Sequence, residues 1–296
     1  MSSPRPAVAV DLGKSRCRVS SGDVVREGLG APGLAAEDGV TAAIAAILPL
    51  LPDGGEPLDL VGVGAAGAWA APGAAQQLAD ALAAATDARV AVASDVVAAH
   101  AGALEGGEGV LLIAGTGAAA LGIDADGARL VDGWGPELGD FGSGSWLGRE
   151  ALRAVLRASV GLSPDTVLVP AIETRIGTAS DIIGWLADPE PLARRLATFA
   201  PLVLDSAAAG DHVAGGIVEE AVRLLTASAV AASSRTLAVT LHGGLTQHPW
   251  FHAALVASLQ SAGRQTVPAA GTALDGALLL ARRVDLPHER FVHRAE

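Results

Sequence analysis

Tyrosine is absent from this 296-residue chain, and Phe and Trp make up only 3% of it. With so few rings and no block of Lys and Arg between them, no base-stacking platform for single-stranded nucleic acid is available. Positive charge is also scarce. Twenty Lys and Arg face 32 Asp and Glu, a formal net charge of −12. That balance disfavours nucleic acid and anionic membrane surfaces as main partners. The single cysteine, Cys17, excludes an intrachain disulfide and a Cys-rich zinc site. It also excludes a four-thiolate iron–sulfur cluster, even one shared by two subunits. Cys17 itself reads as a small buried strand residue. Long apolar runs are missing too: the Ala-rich stretches are broken by Gly, Pro or charge before they could cross a bilayer. The stretch 1–6 is short and polar, which reads as no secretory leader and a cytoplasmic chain.

What is present is a core. Half of the residues are hydrophobic, enough for one to two domains. Three apolar runs each lead into a glycine turn. Ala7-Val8-Ala9-Val10 leads into Asp11-Leu12-Gly13-Lys14-Ser15. Val110-Leu111-Leu112-Ile113 leads into Ala114-Gly115-Thr116-Gly117. The run 236–241 leads into His242-Gly243-Gly244-Leu245. A buried strand that stops at glycine and small hydroxyl residues exposes backbone N–H groups, and such a concavity suits anions.

Periodicity and turn residues predict strands at 7–11, 16–20 and 24–27, a helix at 36–50 ended by Pro49 and Pro52, and a strand at 58–64. A helix at 73–85, a strand at 89–93 and a helix at 95–104 follow. Gly106-Gly107 reads as a hinge. Strands at 109–114, 118–124 and 128–132 repeat the opening meander, with Asp124-Ala125-Asp126-Gly127 as a hairpin turn. Helices are expected at 145–160, in a broken region at 165–204, at 211–232, 249–261 and 272–283, and a strand at 236–241. The tail from Val284 reads as a short appendage. Two copies of one β-β-β-α plan do not suit a dinucleotide fold, which opens strand-to-helix. The expected division is 1–107 and 108–296, the last helix being the element able to return to the first domain.

Several residues could carry chemistry. Asp11 ends a strand where a hydrated Mg²⁺ would bridge phosphates, while Gly13, Lys14 and Ser15 could contact the phosphates themselves; an ordinary hairpin turn is the alternative. Gly115-Thr116-Gly117 offers the same donors. Asp95, after Ser94 at a strand's carboxyl end, is either a helix N-cap or a base that takes a proton from a hydroxyl attacking a γ-phosphoryl group. In the segment 133–146, Gly133 and Gly135 free the backbone, Trp134 could pack on a sugar ring, and Asp140 could accept from hydroxyls. Gly243-Gly244 lets a flat group such as adenine lie on the backbone. His242 and His248 read as turn residues, and Arg149, Arg153 and Arg157 as a solvated basic stripe.

The order Asp11-x-Gly13-x-Ser15, Ser94-Asp95, Gly115-Thr116-Gly117, Gly133-Trp134-Gly135, Gly139-Asp140-x-Gly142-Ser143, Gly243-Gly244 and Leu274-Asp275-Gly276-Ala277 resembles the N-acetylglucosamine kinase branch of the actin-like, hexokinase-type ATPases. This is the BadF/BadG/BcrA/BcrD type of ATPase, and the resemblance spans essentially the whole chain. It implies an α/β fold of two ribonuclease-H-like domains, each a mixed sheet flanked by helices, with ATP and Mg²⁺ in the cleft between them. It implies phosphorylation of the 6-hydroxyl of N-acetylglucosamine, glucosamine or N-acetylmuramate. By carry-over, Asp95 is the base; Asp95, Gly133, Trp134, Gly135 and Asp140 meet the sugar; Gly13, Ser15 and Thr116 meet phosphates; Gly243 and Gly244 lie near adenosine. Departures stand at Lys14 (usually Gly), Ser15 (usually Thr), Ala118-Ala119 (usually Ser-Asn) and Gly30-Ala31-Pro32-Gly33, which lacks a sugar-binding Asn. Dehydratase-activating ATPases and the repressor-and-kinase sugar family are set aside, because both need cysteines that this chain lacks. The rival readings are a non-catalytic nucleotide- or sugar-sensing module and an ATPase that drives a partner. A homodimer is compatible with the sequence.

Overall fold

The computed structural model describes residues 6–52 and 57–296. The stretch 1–5, most of the segment read above for a leader, lies outside the described residues. The chain opens with β1 (Ala7–Leu12), β2 (Arg16–Ser21), β3 (Val24–Leu29), α1 (Gly39–Ile47), β4 (Leu60–Ala65), α2 (Pro72–Thr86), β5 (Arg89–Ser94) and α3 (Asp95–Ala103). It continues with β6 (Gly109–Ala114), β7 (Ala118–Asp124), β8 (Gly127–Asp132), α4 (Gly144–Ser159), α5 (Leu168–Ile176), α6 (Ile182–Leu186), α7 (Leu192–Ala197), α8 (Ala200–Ala208) and α9 (His212–Ala232). It closes with β9 (Ala238–His242), α10 (Pro249–Ser261), β10 (Gln265–Val267), α11 (Ala273–Arg282) and β11 (His293–Ala295).

Two compact units result. One holds 1–108, 123–127 and 268–296; the other holds 109–122 and 128–267. The β-β-β-α plan opens both.

In the first unit, β11-β5-β4-β1-β2-β3 form one mixed sheet. β1, β4 and β5 run parallel, while β2, β3 and β11 are antiparallel to their neighbours. Alternation of side-chain size decides what covers each face. Val8, Val10, Leu12, Val61, Val63, Val90 and Val92 point into the core shared with Ile47, Leu78 and Leu82 of α1 and α2. The opposite face carries Gly62 and Gly64, so helices come down onto bare backbone. A Cβ at Gly62 would stand 2.2 Å from the Ala277 carbonyl of α11, and one at Gly64 would stand 2.7 Å from the Ala98 Cβ of α3.

In the second unit, β10-β9-β6-β7-β8 form a mixed sheet with β9 parallel to both β6 and β10. Val110, Leu112, Ala114, Ala118 and Ala120 pack on a helical layer whose centre is Leu147, Phe199, Val203, Leu225 and Phe251.

Two expectations change. The tail after Val284, read as a short appendage, is part of the first sheet: β11 adds an edge strand to it, His293 opposite Val92 and Ala295 opposite Val90. The helix expected at 36–50 is α1 followed by one turn of 3₁₀ helix at Leu48–Leu50, because Pro49 lacks the N–H that an α-helix would need there.

Candidate functional site

In the first unit, three parallel strands end together. Leu12 pairs with Ala65, and Ala65 with Ser94. Asp11 is the last residue but one of β1, and Asp95 is the first residue after β5. The topology therefore puts both carboxylates at the carboxyl edge of one sheet, where open α/β sheets bind ligands. The next turn is held by Gly13, whose N–H donates to the Arg16 carbonyl at 2.9 Å and whose carbonyl accepts from the Ala31 N–H at 3.2 Å. Gly30 makes that approach possible, since a Cβ there would lie 2.2 Å from the Gly13 carbonyl. Lys14 and Ser15 are exposed at the tip.

Asp95 opens α3 but does not cap it. Ser94 does, accepting from the Val97 N–H at 3.2 Å. Of the two alternatives posed by the sequence, the cap thus falls to the neighbour, and the Asp95 carboxylate accepts locally from the Val96 N–H at 2.9 Å. Burial raises its carboxyl above the ordinary aspartate value; backbone amides oppose this, the charge of Asp11 adds to it, and Lys14 opposes it. A half-buried carboxyl with a raised pKa at a strand end is suited to proton transfer.

In the second unit, Gly115-Thr116-Gly117 follows β6, and Gly243-Gly244 follows the neighbouring β9, Ile113 pairing with His242. Gly243 has φ +112, and a Cβ there would stand 2.5 Å from the Ala114 carbonyl, so only glycine fits. The first turn of α4 is spent on holding the Thr116 loop: Gly144 N–H donates to Gly115 at 2.8 Å and Ser145 N–H to Thr116 at 3.0 Å. Ser143 caps the helix, accepting from Trp146 N–H at 3.1 Å. Among the described residues no backbone carbonyl accepts from the amides of Thr116 and Gly117.

The segment 133–141 is folded by a residue that the sequence did not single out. Asp132, 3% exposed, accepts from Asp140 N–H at 2.8 Å and from Phe141 N–H at 2.7 Å. This closes a loop in which Gly133 and Gly135 have φ +81 and +86. Asp140 is buried with φ +54, and its carboxylate accepts from Ala118 N–H at 3.2 Å while standing over Gly117. Asp140 thus meets the Gly117 loop through its own carboxylate. Trp134 stays 65% exposed, its ring edge-on to Phe141 at 6.2 Å. An aspartate before a glycine, at the end of a strand, was the available signal for Asp132.

Other expectations are corrected. The basic stripe is not uniformly solvated. Arg153 and Arg157 lean toward Glu150, but Arg149 turns inward, its Nη2 buried without a hydrogen-bond partner among the described residues. His248 is more than a turn residue: it caps α10, accepting from Phe251 N–H, and meets Asp205 at 3.3 Å. His242 ends β9. Cys17 is buried in β2, where burial and then Asp11 push its thiol up to about 11.

No group of three or more His, Cys, Asp or Glu able to hold a metal occurs among the described residues. The single carboxylate of Asp11, at the end of β1, still suits Mg²⁺, which takes one or two carboxylates and completes its shell with water and phosphate. Among the described residues no helix is long and apolar enough to cross a membrane.

The chain is 35% identical to an N-acetyl-D-glucosamine kinase of Dictyostelium discoideum over 40% of its own length and 38% of the relative's. It is 29% identical to an N-acetylmuramic acid/N-acetylglucosamine kinase of Clostridium acetobutylicum over 46% of each chain. These matches span less than half of the curated relatives. Among solved structures, a candidate N-acetylglucosamine kinase of Chromobacterium violaceum superposes with a TM-score of 0.76 and 26% identity, over 93% of this chain and 98% of that one. Residues 17–281 match the BadF/BadG/BcrA/BcrD ATPase family, and the chain belongs to it.

Proposed function

We propose that this protein transfers the γ-phosphoryl group of ATP to a hydroxyl of an amino sugar, the 6-hydroxyl of N-acetylglucosamine or of its glucosamine and N-acetylmuramate relatives. The observation that carries the reading is Asp95: a carboxylate at a strand end, relieved of capping by Ser94, with its pKa raised. Amino-sugar kinase names among the relatives supply the substrate class.

In this reading Asp95 accepts the proton of the sugar hydroxyl as its oxygen attacks phosphorus. Sugar kinases of this kind need Mg²⁺, which would be held through water by Asp11 and would neutralise charge on the phosphates. The Gly13–Ser15 turn and the amides of Thr116 and Gly117 bind phosphate oxygens, and Lys14 adds charge. Gly243 and Gly244 receive the adenosine. Gly133, Trp134, Gly135 and Asp140 meet the sugar, with Asp132 positioning the last of these. We read the two units as the two domains of an actin-like ATPase, and a cytoplasmic setting follows from the need for ATP.

Asp95→Asn tests the assignment. The variant is expected to bind nucleotide as the parent does and to lose at least about a hundredfold in kcat. Full turnover in Asp95→Asn would remove Asp95 as the base.

A further inference from the structure

Arg18 has no part in the roles above, yet it holds one of their members. Asp11 and Arg18 stand opposite each other across the β1–β2 hairpin. Arg18 places Nε at 3.1 Å and Nη2 at 2.5 Å from one oxygen of the Asp11 carboxylate, Oδ2. Both side chains are shielded, 29% and 19% exposed, so salt screens the pair less than it would a surface pair. The other oxygen, Oδ1, accepts nothing among the described residues.

We propose that Arg18 is a resident cation at Asp11 which makes capture of a divalent cation there conditional on a nucleoside triphosphate. The proposal rests on the reading of Asp11 as the carboxylate that serves the cation. A lone carboxylate attracts Mg²⁺ chiefly by charge, and the guanidinium already balances that charge. Lys14, on the turn between the two strands, adds a second positive charge. A metal ion arriving alone therefore meets a site with no net negative charge apart from Asp95. A triphosphate brings several negative charges of its own. These compensate the arriving cation and the guanidinium together, so metal and nucleotide are taken up as one unit. Thermodynamic linkage makes the coupling reciprocal: by whatever factor the nucleotide raises affinity for the ion, the ion raises affinity for the nucleotide.

The test is a titration with Mn²⁺, alone and with β,γ-imido-ATP, read by electron paramagnetic resonance of the free ion, with the ion held by the analogue in a protein-free blank subtracted. The proteins are the parent, Arg18→Met, Arg18→Lys, Asp11→Asn and the Asp11→Asn/Arg18→Met pair, with Arg18→Gln as a second neutral replacement should the Met variant not fold. The parent and Arg18→Lys are expected to take up Mn²⁺ only with the nucleotide analogue. Arg18→Met is expected to bind Mn²⁺ alone at least about tenfold more tightly than the parent, and to lose that gain when Asp11 is also replaced. If the neutral variants bind bare Mn²⁺ no better, while uptake with the analogue still needs Asp11, the role of Arg18 is overturned and the reading of Asp11 stands. If Asp11→Asn changes uptake in neither condition, the reading of Asp11 fails and the proposal with it.

Discussion

Replacing Gly276 by Ala should break the contact that seats α3. A Cβ at Gly276 would lie 1.8 Å from the Ala98 carbonyl oxygen, 2.5 Å from the Gly102 nitrogen and 2.9 Å from the Ala98 carbonyl carbon. All three atoms are backbone, so no side chain can swing aside. Ordinary contact begins near 3.4 Å, so α3 and α11 must separate by roughly 1.5 Å. Overpacking of this kind costs about 3 kcal/mol, against which Ala returns about 1 kcal/mol of helix propensity. The net loss of about 2 kcal/mol lowers the melting temperature by about 4–8 °C. Gly216 supplies the control, for it also lies within a helix, α9, and has nothing within 4 Å of where a Cβ would go. Gly216→Ala should therefore stabilise by about 0.5–1 kcal/mol. Because Asp95 is the first residue of α3, Gly276→Ala should also lower kcat by about tenfold or more. Calorimetry and a coupled ADP assay read both effects. Equal melting temperatures for parent and Gly276→Ala would refute the reasoning about the helix contact.

Asp132→Ala should cost about 3 kcal/mol, since the amides of Asp140 and Phe141 lose their acceptor and Ala must adopt the φ of +64 that Asp132 holds; urea melts read the loss, and the KM for sugar should rise with it. His288 is fully buried with Nε2 2.9 Å from His100 Nδ1, and burial followed by His100 lowers its pKa to about 3. The unfolded chain, titrating near 6.5, then binds more protons between pH 3 and 6.5, so stability is lost as pH falls through that window, by about 1.4 kcal/mol per unit. Urea melts at pH 7 and 5.5 should show a steeper loss for the parent than for His288→Gln, and equal slopes would contradict this. Asp95 must be ionised to accept a proton, so kcat/KM, which reports the free enzyme, should fall on the acid side of the pH profile at a value above the 3.8 of an ordinary aspartate. An acid limb at or below 3.8 would count against the role.

Much of this architecture was legible because buried strands that stop at glycine announce themselves. β1, β6 and β9 carry Val and Leu runs that end at Gly13, Gly115 and Gly243, and the turns lie where those runs stop. The strand read at 89–93, one residue short of the observed β5, likewise revealed where Asp95 would stand. Residues whose role depends on how a segment folds back were harder to see. Asp132 acts on the amides of residues eight and nine positions later, a distance in sequence that carries no periodic signal. β11 has three residues and no alternation, and its strand character comes from the open edge of β5. Arg149 shares the spacing of Arg153 and Arg157, yet it is the member turned inward, and spacing alone does not tell which side of a basic stripe meets the core. Arg18 could have been found: a tight turn centred on Lys14 and Ser15 sets Asp11 opposite Arg18.

The most direct measurement is of product. The purified chain, incubated with Mg-ATP and each of N-acetylglucosamine, glucosamine and N-acetylmuramate, should yield one equivalent of ADP per equivalent of sugar 6-phosphate, resolved by mass spectrometry and phosphorus NMR. ADP released at the same rate without any sugar, or no phosphorylated sugar from the whole panel, would contradict the account.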